Sequence, residues 1–380
     1  MITEPVWAEF PNLAAQYQVW ILDHNGTPLD LLENYETLEY ILTANGSGVT
    51  EWGSFRITGE ASQLPHELFT LDRILSVQRK AAGEDWKVEF EGLHRRREFW
   101  FDDNDKEWYR SSGTDLKSLV KRRVIRPDTG QAFFSYSGAF TDAMRQLVRT
   151  QAGPLATLPR QMRYLVVEAN SAEGAVVTYS TRDEQLSVAL ETLGGLGAAF
   201  DIERVGSVYT FRVYYPRRGQ DRRLGHSAFP VVFSITDGNM ARPAFSDDRL
   251  AEINVVYVAG DGEGASREIV ERASVWDAML DSPWNRIEGF LEASQQTSTA
   301  ALMAFGDAFL TENRQQLAFG CTAIPTPGCL YGRDWNVGDL ITGVYRGESY
   351  DLSVDAVEVS LRPDEGETLT PTLRWVPEAL

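Results

Sequence analysis

Cysteine and histidine are scarce in this 380-residue chain: two of the first and four of the second. Two thiols cannot build a disulfide framework or a four-thiolate zinc site. His24, His66, His94 and His226 stand singly, with no H-E-x-x-H pair. A zinc or non-haem iron centre built on several imidazoles is therefore not expected, and no metal or cofactor is assigned. No G-x-S-x-G elbow is present, nor a phosphate-loop lysine, so the commonest serine-hydrolase and nucleotide signatures are missing. No run reaches about eighteen apolar residues, so no membrane anchor is expected. The opening MITEPVWAEFPNL has no basic region followed by an apolar stretch, so no secretory signal is expected either. Positive charge is also short. Lys and Arg number 36 against 55 Asp and Glu, a net of −19, which repels polyanions and argues against a protein built to grip nucleic acid.

What is present suits packed cores. Hydrophobic residues make up 43%, with 10 Trp, 14 Tyr, 18 Phe, 31 Gly and 16 Pro. That composition excludes a chain disordered throughout, and the length predicts two or three domains. The acid excess is uneven. From Arg79 to Arg126 there are 13 basic and 10 acidic residues, a local +3 that leaves the rest at −22. This window is either a contact for an acidic neighbour, with Arg95, Arg96 and Arg97 as candidates, or an ordinary solvated face. Cys321 and Cys329 flank a loop with Pro325, Pro327 and Gly328. Their spacing lets them meet across a hairpin, so a disulfide and two free thiols are both open.

The first region reads as strands and hairpins. In YQVWILDHNGTPLDLL an apolar run meets Asn25-Gly26, the strongest short hairpin signal because both central positions need positive φ. LDRILSVQRK and DWKVEFEGLHRR repeat the theme around a turn at residues 82–85, and their two-fold alternation predicts antiparallel sheet. From Thr114 the period changes. TDLKSLVKRRVI has Leu116, Leu119 and Val120 at helical spacing. TDAMRQLVRTQAG offers Thr141 as N-cap, and Thr181 with Glu184 forms a capping box before Leu186, Leu190 and Leu193. FDIERVGSVYTFRVYYP is a hairpin turning at Gly206. Residues 217–247 mix Gly, Pro and charge and read as a boundary or long loop. INVVYVA is a strand, TSTAALMAFGDAFLTENRQQ the longest helix signal, and the tail is strand after strand. Four helices of about 13 to 20 residues among many strands make the expected class α+β with β dominant. No short-period repeat is visible.

Gly260, Gly262 and Ala265 satisfy G-x-G-x-x-A directly after a strand, the dinucleotide pattern. Asp261 and Glu263 within the loop oppose a pyrophosphate, and no βαβ succession surrounds it, so a glycine-rich hairpin is the expected structure. FWFDDNDKEWY places Asp102, Asp103, Asp105 and Glu107 among Trp100, Phe101, Trp108 and Tyr109. It reads as a polar loop with flanking aromatics; sugar stacking is the alternative, and the EF-hand glycine and spacing are absent. Paired glycosidase carboxylates need not be close in sequence, so an enzyme is not excluded by motif alone. No catalytic residue is assigned.

Taken in order, YQVWILDHNG, ETLEYILTANGSGVTEWGSFRI, LDRILSVQRK with DWKVEFEGLHR, TRDEQLSVALETLGGLGAAFDI, RRGQDRR, INVVYVAGDGEGASREIV, WNRIEGFLEAS, FGDAFLTENRQQ and YGRDWNVGDLITGVY cover most of positions 17 to 375. The series resembles the tail-tip hub proteins of long-tailed bacteriophages. That family contains the N-terminal part of tail-associated lysins and the contractile-tail baseplate hub, and the likeness is to its siphophage branch, the minor tail proteins. One departure is Thr43-Ala44-Asn45, where the family usually has an Arg before the Asn. The family's peptidoglycan hydrolases carry their activity in modules beyond the position of Trp375, and on the sequence given no such module is expected here.

The resemblance implies a homotrimer closing the tail tube, with two tube-like antiparallel β-barrel domains per chain and smaller α+β insert domains. The implied division is a first barrel over 1–113, open to completion by later segments, a helical segment over 114–157, an α+β insert over 158–240 and a second barrel with one long helix over 241–380. Six quasi-equivalent barrels would match a hexameric distal tail ring protein. The other implied partners are the tape-measure protein and tail fibre or receptor-binding proteins, with DNA passing through unbound. The implied location is the virion tail tip, after assembly in the host cytoplasm. Three copies would carry a formal −57, a wall that does not hold DNA by counterion release, although an acid excess also simply keeps proteins soluble. Two rivals remain: a carbohydrate-active or peptidoglycan-hydrolysing enzyme of the tail tip, and a carbohydrate-binding module array.

Overall fold

The computed structural model describes residues 13–44, 52–274, 282–293, 298–362 and 364–376. The loop beginning at Asn45 and most of the N-terminal stretch examined for a signal lie outside them. Two-residue alternation lays the first third down as strands: β1 (Gln16–Leu22), β2 (Pro28–Leu31), β3 (Thr37–Thr43), β4 (Ser54–Glu60), β5 (Ile74–Lys80), β6 (Lys87–Phe101) and β7 (Glu107–Asp115). The hairpin expected at Asn25-Gly26 forms. Asp23 Oδ1 accepts from the backbone N–H of Asn25 and Thr27, and Gly26 takes φ 85°, a conformation that costs glycine little.

Next come β8 (Phe134–Ala139), α1 (Phe140–Gln151), β9 (Leu165–Val167), β10 (Val176–Thr181), α2 (Leu186–Gly194), β11 (Ala199–Val205) and β12 (Val208–Tyr214). Three local expectations need correction here. Residues Leu116–Arg122 form a 3₁₀ helix, because Asp115 caps the Ser118 N–H and Lys117 is drawn inward to Thr43, tightening the turn. Helix α1 starts at Phe140 with Ala139 at its cap, since the buried Thr141 hydroxyl donates to the Glu173 carbonyl. Thr181 and Glu184 bond each other side chain to side chain, and α2 begins later, after Gln185, without a side-chain cap.

The rest comprises β13 (Val232–Ser234), β14 (Met240–Asp248), β15 (Val255–Ala259), β16 (Ile269–Ala273), β17 (Glu288–Glu292), α3 (Thr299–Glu312), β18 (Gln316–Ala323), β19 (Leu340–Tyr345), β20 (Glu348–Arg362) and β21 (Gly366–Trp375). The stretch 217–247, expected as loop, thus holds β13 and most of β14. Pro243 fits inside β14 because it falls in the register break between Ala241 and Ala244, where no ladder hydrogen bond is needed. The glycine-rich segment after β15 turns through Gly264–Ser266 into antiparallel β16. It is the expected hairpin, with strand β16 where a dinucleotide fold would place its helix.

A 13-stranded sheet dominates, in the order β14-β18-β21-β20-β3-β4-β7-β6-β5-β1-β2, with β13 joined through β19 to β20. The α+β, β-dominated class is as expected. Closed barrels are not seen among the described residues, because this order has two ends. Strand β20 is the joint. Its first half pairs with β19 and its second half with β3, beyond a register shift between Val354 and Ala356 against β21. One core runs under this sheet from both ends of the chain, including Val19, Tyr40, Phe55, Phe233, Trp335 and Val357. A second lies around α1 and α2, and a third between α3 and β15.

Candidate assembly surfaces

Where β1, β3, β5 and β6 meet the C-terminal strands, a polar cluster is largely buried. Arg79 on β5 is 5% exposed. Its Nε donates to Tyr17 Oη at 2.9 Å, Nη2 to Glu367 Oε1 at 2.9 Å and Nη1 to the Tyr331 carbonyl at 2.7 Å. Glu89 lies 3.5 Å from Nε and accepts from Tyr40 Oη at 3.1 Å. Gly332 is required beside it, since a Cβ there would stand 2.6 Å from Arg79 Nη1. Burial pushes the Glu89 carboxyl up to about 7, against the opposing pull of Arg79. A charged residue that leaves so little exposed holds two distant stretches of chain together, and removing either partner strands the other charge.

A second buried pair sits at the foot of β7. Asp115 accepts from the Gly53 and Ser118 N–H at 3.0 and 3.1 Å, and Lys117 Nζ is 3.3 Å away while donating to the Thr43 carbonyl at 2.8 Å. Burial raises the Asp115 carboxyl to about 6, with Lys117 opposing. Two neighbouring cavities flank the main sheet, one of about 240 Å³ facing β11 and one of about 360 Å³ facing the segment after β12. Arg218 and Glu89 line both. Among the described residues no group of three or more His, Cys, Asp or Glu is placed to hold a metal ion.

The three arginines singled out by sequence are not one patch. Arg95 is the extra residue of a bulge between His94 and Arg96 and reaches Asp72 at 2.9 Å. Beyond the bulge, alternation sends Arg96 and Arg97 to opposite faces. Arg96 pairs with Glu98 at 2.7 Å, while Arg97 stands exposed opposite Ser111. Cys321 and Cys329 are free and buried, and burial raises both thiols to about 12.

A denser basic surface lies beside Arg95, part of it outside the window read from sequence. Arg122 shares Asp72 with Arg95, at 2.8 Å. Arg123 Nε donates to the Arg160 carbonyl at 2.8 Å. Burial first, then the Arg160 and Arg122 charges, hold the Arg123 guanidinium below its usual range. Arg163 is exposed beside them. The clue available in sequence was the Lys121-Arg122-Arg123 run; nothing local placed Arg160 and Arg163 next to it.

At the far end of β6, the acidic run is a hairpin tip. Asp102 Oδ1 accepts from the N–H of Asn104 and Lys106 at 2.8 and 3.0 Å, and Oδ2 from Trp108 Nε1 at 3.0 Å. Trp100 and Trp108 stack at 6.4 Å, with Arg110 over the first and Lys106 over the second. The expected polar loop with flanking aromatics is thus a stiff projection.

The model of the Siphovirus ReqiPepy6 Gp37-like protein family matches residues 19–373. The chain belongs to that family. No curated protein matches the sequence. Among solved structures it is similar to a tail protein from Neisseria meningitidis MC58, with 15% identity and a TM-score of 0.57 over 96% of this chain and 99% of that one. It is also similar to a 43 kDa tail protein of prophage MuSo2 from Shewanella oneidensis, with 10% identity and a TM-score of 0.58 over 94% and 97%. Prophage tail protein gp18 from Listeria monocytogenes EGD-e gives 10% and 0.56 over 93% and 94%. At these identities the likeness is one of fold. The family is a siphovirus one, and the fold is shared with proteins described as tail proteins.

Proposed function

We propose that this siphovirus-family chain is a tail protein, the hub at the distal end of the tail tube. Three copies close the tube, link it to the tape-measure protein and the host-binding tip, and leave a channel for genome ejection. The protein carries no catalysis of its own; it acts by being a ring. The observation that supports this most is the single sheet drawn from both ends of the chain, which stops at β14 on one side and β2 on the other. Unpaired sheet edges are a liability that proteins either blunt within the chain or cover with another chain, and rotational symmetry among identical copies is one way to cover them. The acid excess suits a wall past which DNA slides without being held. Light scattering on purified protein tests the reading. A mass of three chains, with a central hole in electron micrographs, is the expected outcome; a folded monomer at tens of micromolar overturns it.

A further inference from the structure

Beside the shared Asp72 salt bridges lies a cleft of about 260 Å³. Its floor is apolar, with Leu93, Leu119, Met162 and Leu165, and Arg122 and Arg163 stand on its rim next to Asp72. Asp72 is already bound by Arg95 and Arg122. Arg123, Arg160 and Arg163 have no carboxylate partner among the described residues: the first two donate only to backbone carbonyls and Arg163 makes no ion pair. The space is below the range of about 300–1,000 Å³ typical of clefts for drug-sized ligands, and its size suits one large side chain.

The β6–β7 tip is its complement. Phe101 is 65% exposed at the end of the hairpin. The run 102–107 carries four acidic residues and one lysine, and Asp103, Asp105 and Glu107 are exposed with no ion pair among the described residues. Asp102 and the stacked tryptophans hold the tip in one shape, so little freedom is lost when it docks. The two features cannot meet within one chain. Leu93 in the cleft and Phe101 at the tip are eight residues apart on the same strand, roughly 26 Å at about 3.3 Å per residue.

We propose that the hairpin tip of one copy seats in the cleft of a second copy, Phe101 on the apolar floor and the Asp103, Asp105 and Glu107 carboxylates on the arginines. The partner is a second copy because this chain itself supplies both the apolar side chain and the charge that the cleft is short of. The contact is head-to-tail, so it closes into a ring when the rotation between copies allows and otherwise runs on as a filament. The inference deepens the trimer reading and rests on it.

A D103C/R163C double variant tests it, since the two native cysteines are buried. Under mild oxidation, non-reducing gels should show a ladder ending at three linked chains, while either single variant gives none. Charge reversal supplies the second arm. D103K/D105K should weaken self-association at least tenfold, and adding R122E/R163E should restore it, with circular dichroism unchanged throughout. Three-chain particles by light scattering that never form the ladder overturn this contact and leave the trimer standing. Monomers alone overturn both. A short DNA oligonucleotide bound through Arg122 and Arg163, without any ladder, shows a polyanion surface and overturns the proposal too.

Discussion

Glu89 is a carboxylic acid held where ionisation is costly. Tyr17, Tyr40, Tyr331, Arg79 and Glu367 face it or its partner, and Arg79 only partly offsets the loss of solvent. With an ordinary value of 4.5 and a folded value of about 7, the native state keeps a proton between these limits that the unfolded chain has released. Stability therefore falls as pH rises through that window. Asp115, raised from 3.8 to about 6, has the same sign slightly lower. Asp221 works oppositely, its carboxyl held at about 2 chiefly by Arg223, so its contribution is lost only in stronger acid. The melting temperature should be higher at pH 5.5 than at pH 8, and E89Q/D115N should flatten the difference. A wild-type melting temperature that rises over this range would mean Glu89 is ionised and well paired with Arg79. Sequence gave no hint of this cluster: Arg79 marked the start of a basic window read as surface, because a lone arginine in a strand says nothing about the Glu367 that will face it 288 residues later.

At the scale of elements, β6 and β7 show how closely packed the sheet is. The bulge at His94 to Arg96 brings Gly113 of β7 against β6, where a Cβ would stand 1.8 Å from the Leu93 carbonyl oxygen and 2.8 Å from the Phe55 ring. Neither backbone can yield without breaking the ladder. G113A should cost about 1–3 kcal/mol in chemical denaturation, the range for overpacking a tight site. G320A on β18, where the added methyl meets only the Ala244 side chain at 3.9 Å, should stay within about 0.5 kcal/mol. Equal effects would mean that strand glycines matter here for backbone freedom and not for contact. Hairpins such as β1–β2 and β11–β12 were legible because turn chemistry and alternation are local. The pairing of β3 with β20 was not, since nothing in either strand names a partner more than 300 residues away. The capping residues Thr141 and Thr181 misled for a related reason. The Glu173 carbonyl, a tertiary acceptor, took the Thr141 hydroxyl, and the Glu184 side chain, only three residues on, took that of Thr181 in place of a backbone cap.

For the whole molecule the governing quantity is charge. Copies that each carry −19 repel one another, so on the hub reading assembly needs local attraction strong enough to overcome the field of the rest. Basic residues near Asp72 are the available source, and Arg95 borders that surface while Arg96 and Arg97 lie further along β6 on opposite faces. Reversing all three to glutamate takes each chain to −25 and, on the hub reading, weakens tip assembly. R96E alone should do little, because it changes an exposed pair with Glu98 of the kind worth at most about 1 kcal/mol. R95E should account for most of the triple effect, since it frees Asp72 to draw Arg122 away from an incoming carboxylate. Association measured by sedimentation in 50 mM and 300 mM salt separates these contributions. A loss that is large in low salt and shrinks in high salt marks screened attraction at a basic surface. Particles of normal yield and infectivity carrying the triple reversal would show that this face of β6 looks into solvent in the tail, and assembly would then have to be driven by the sheet edges at β2 and β14.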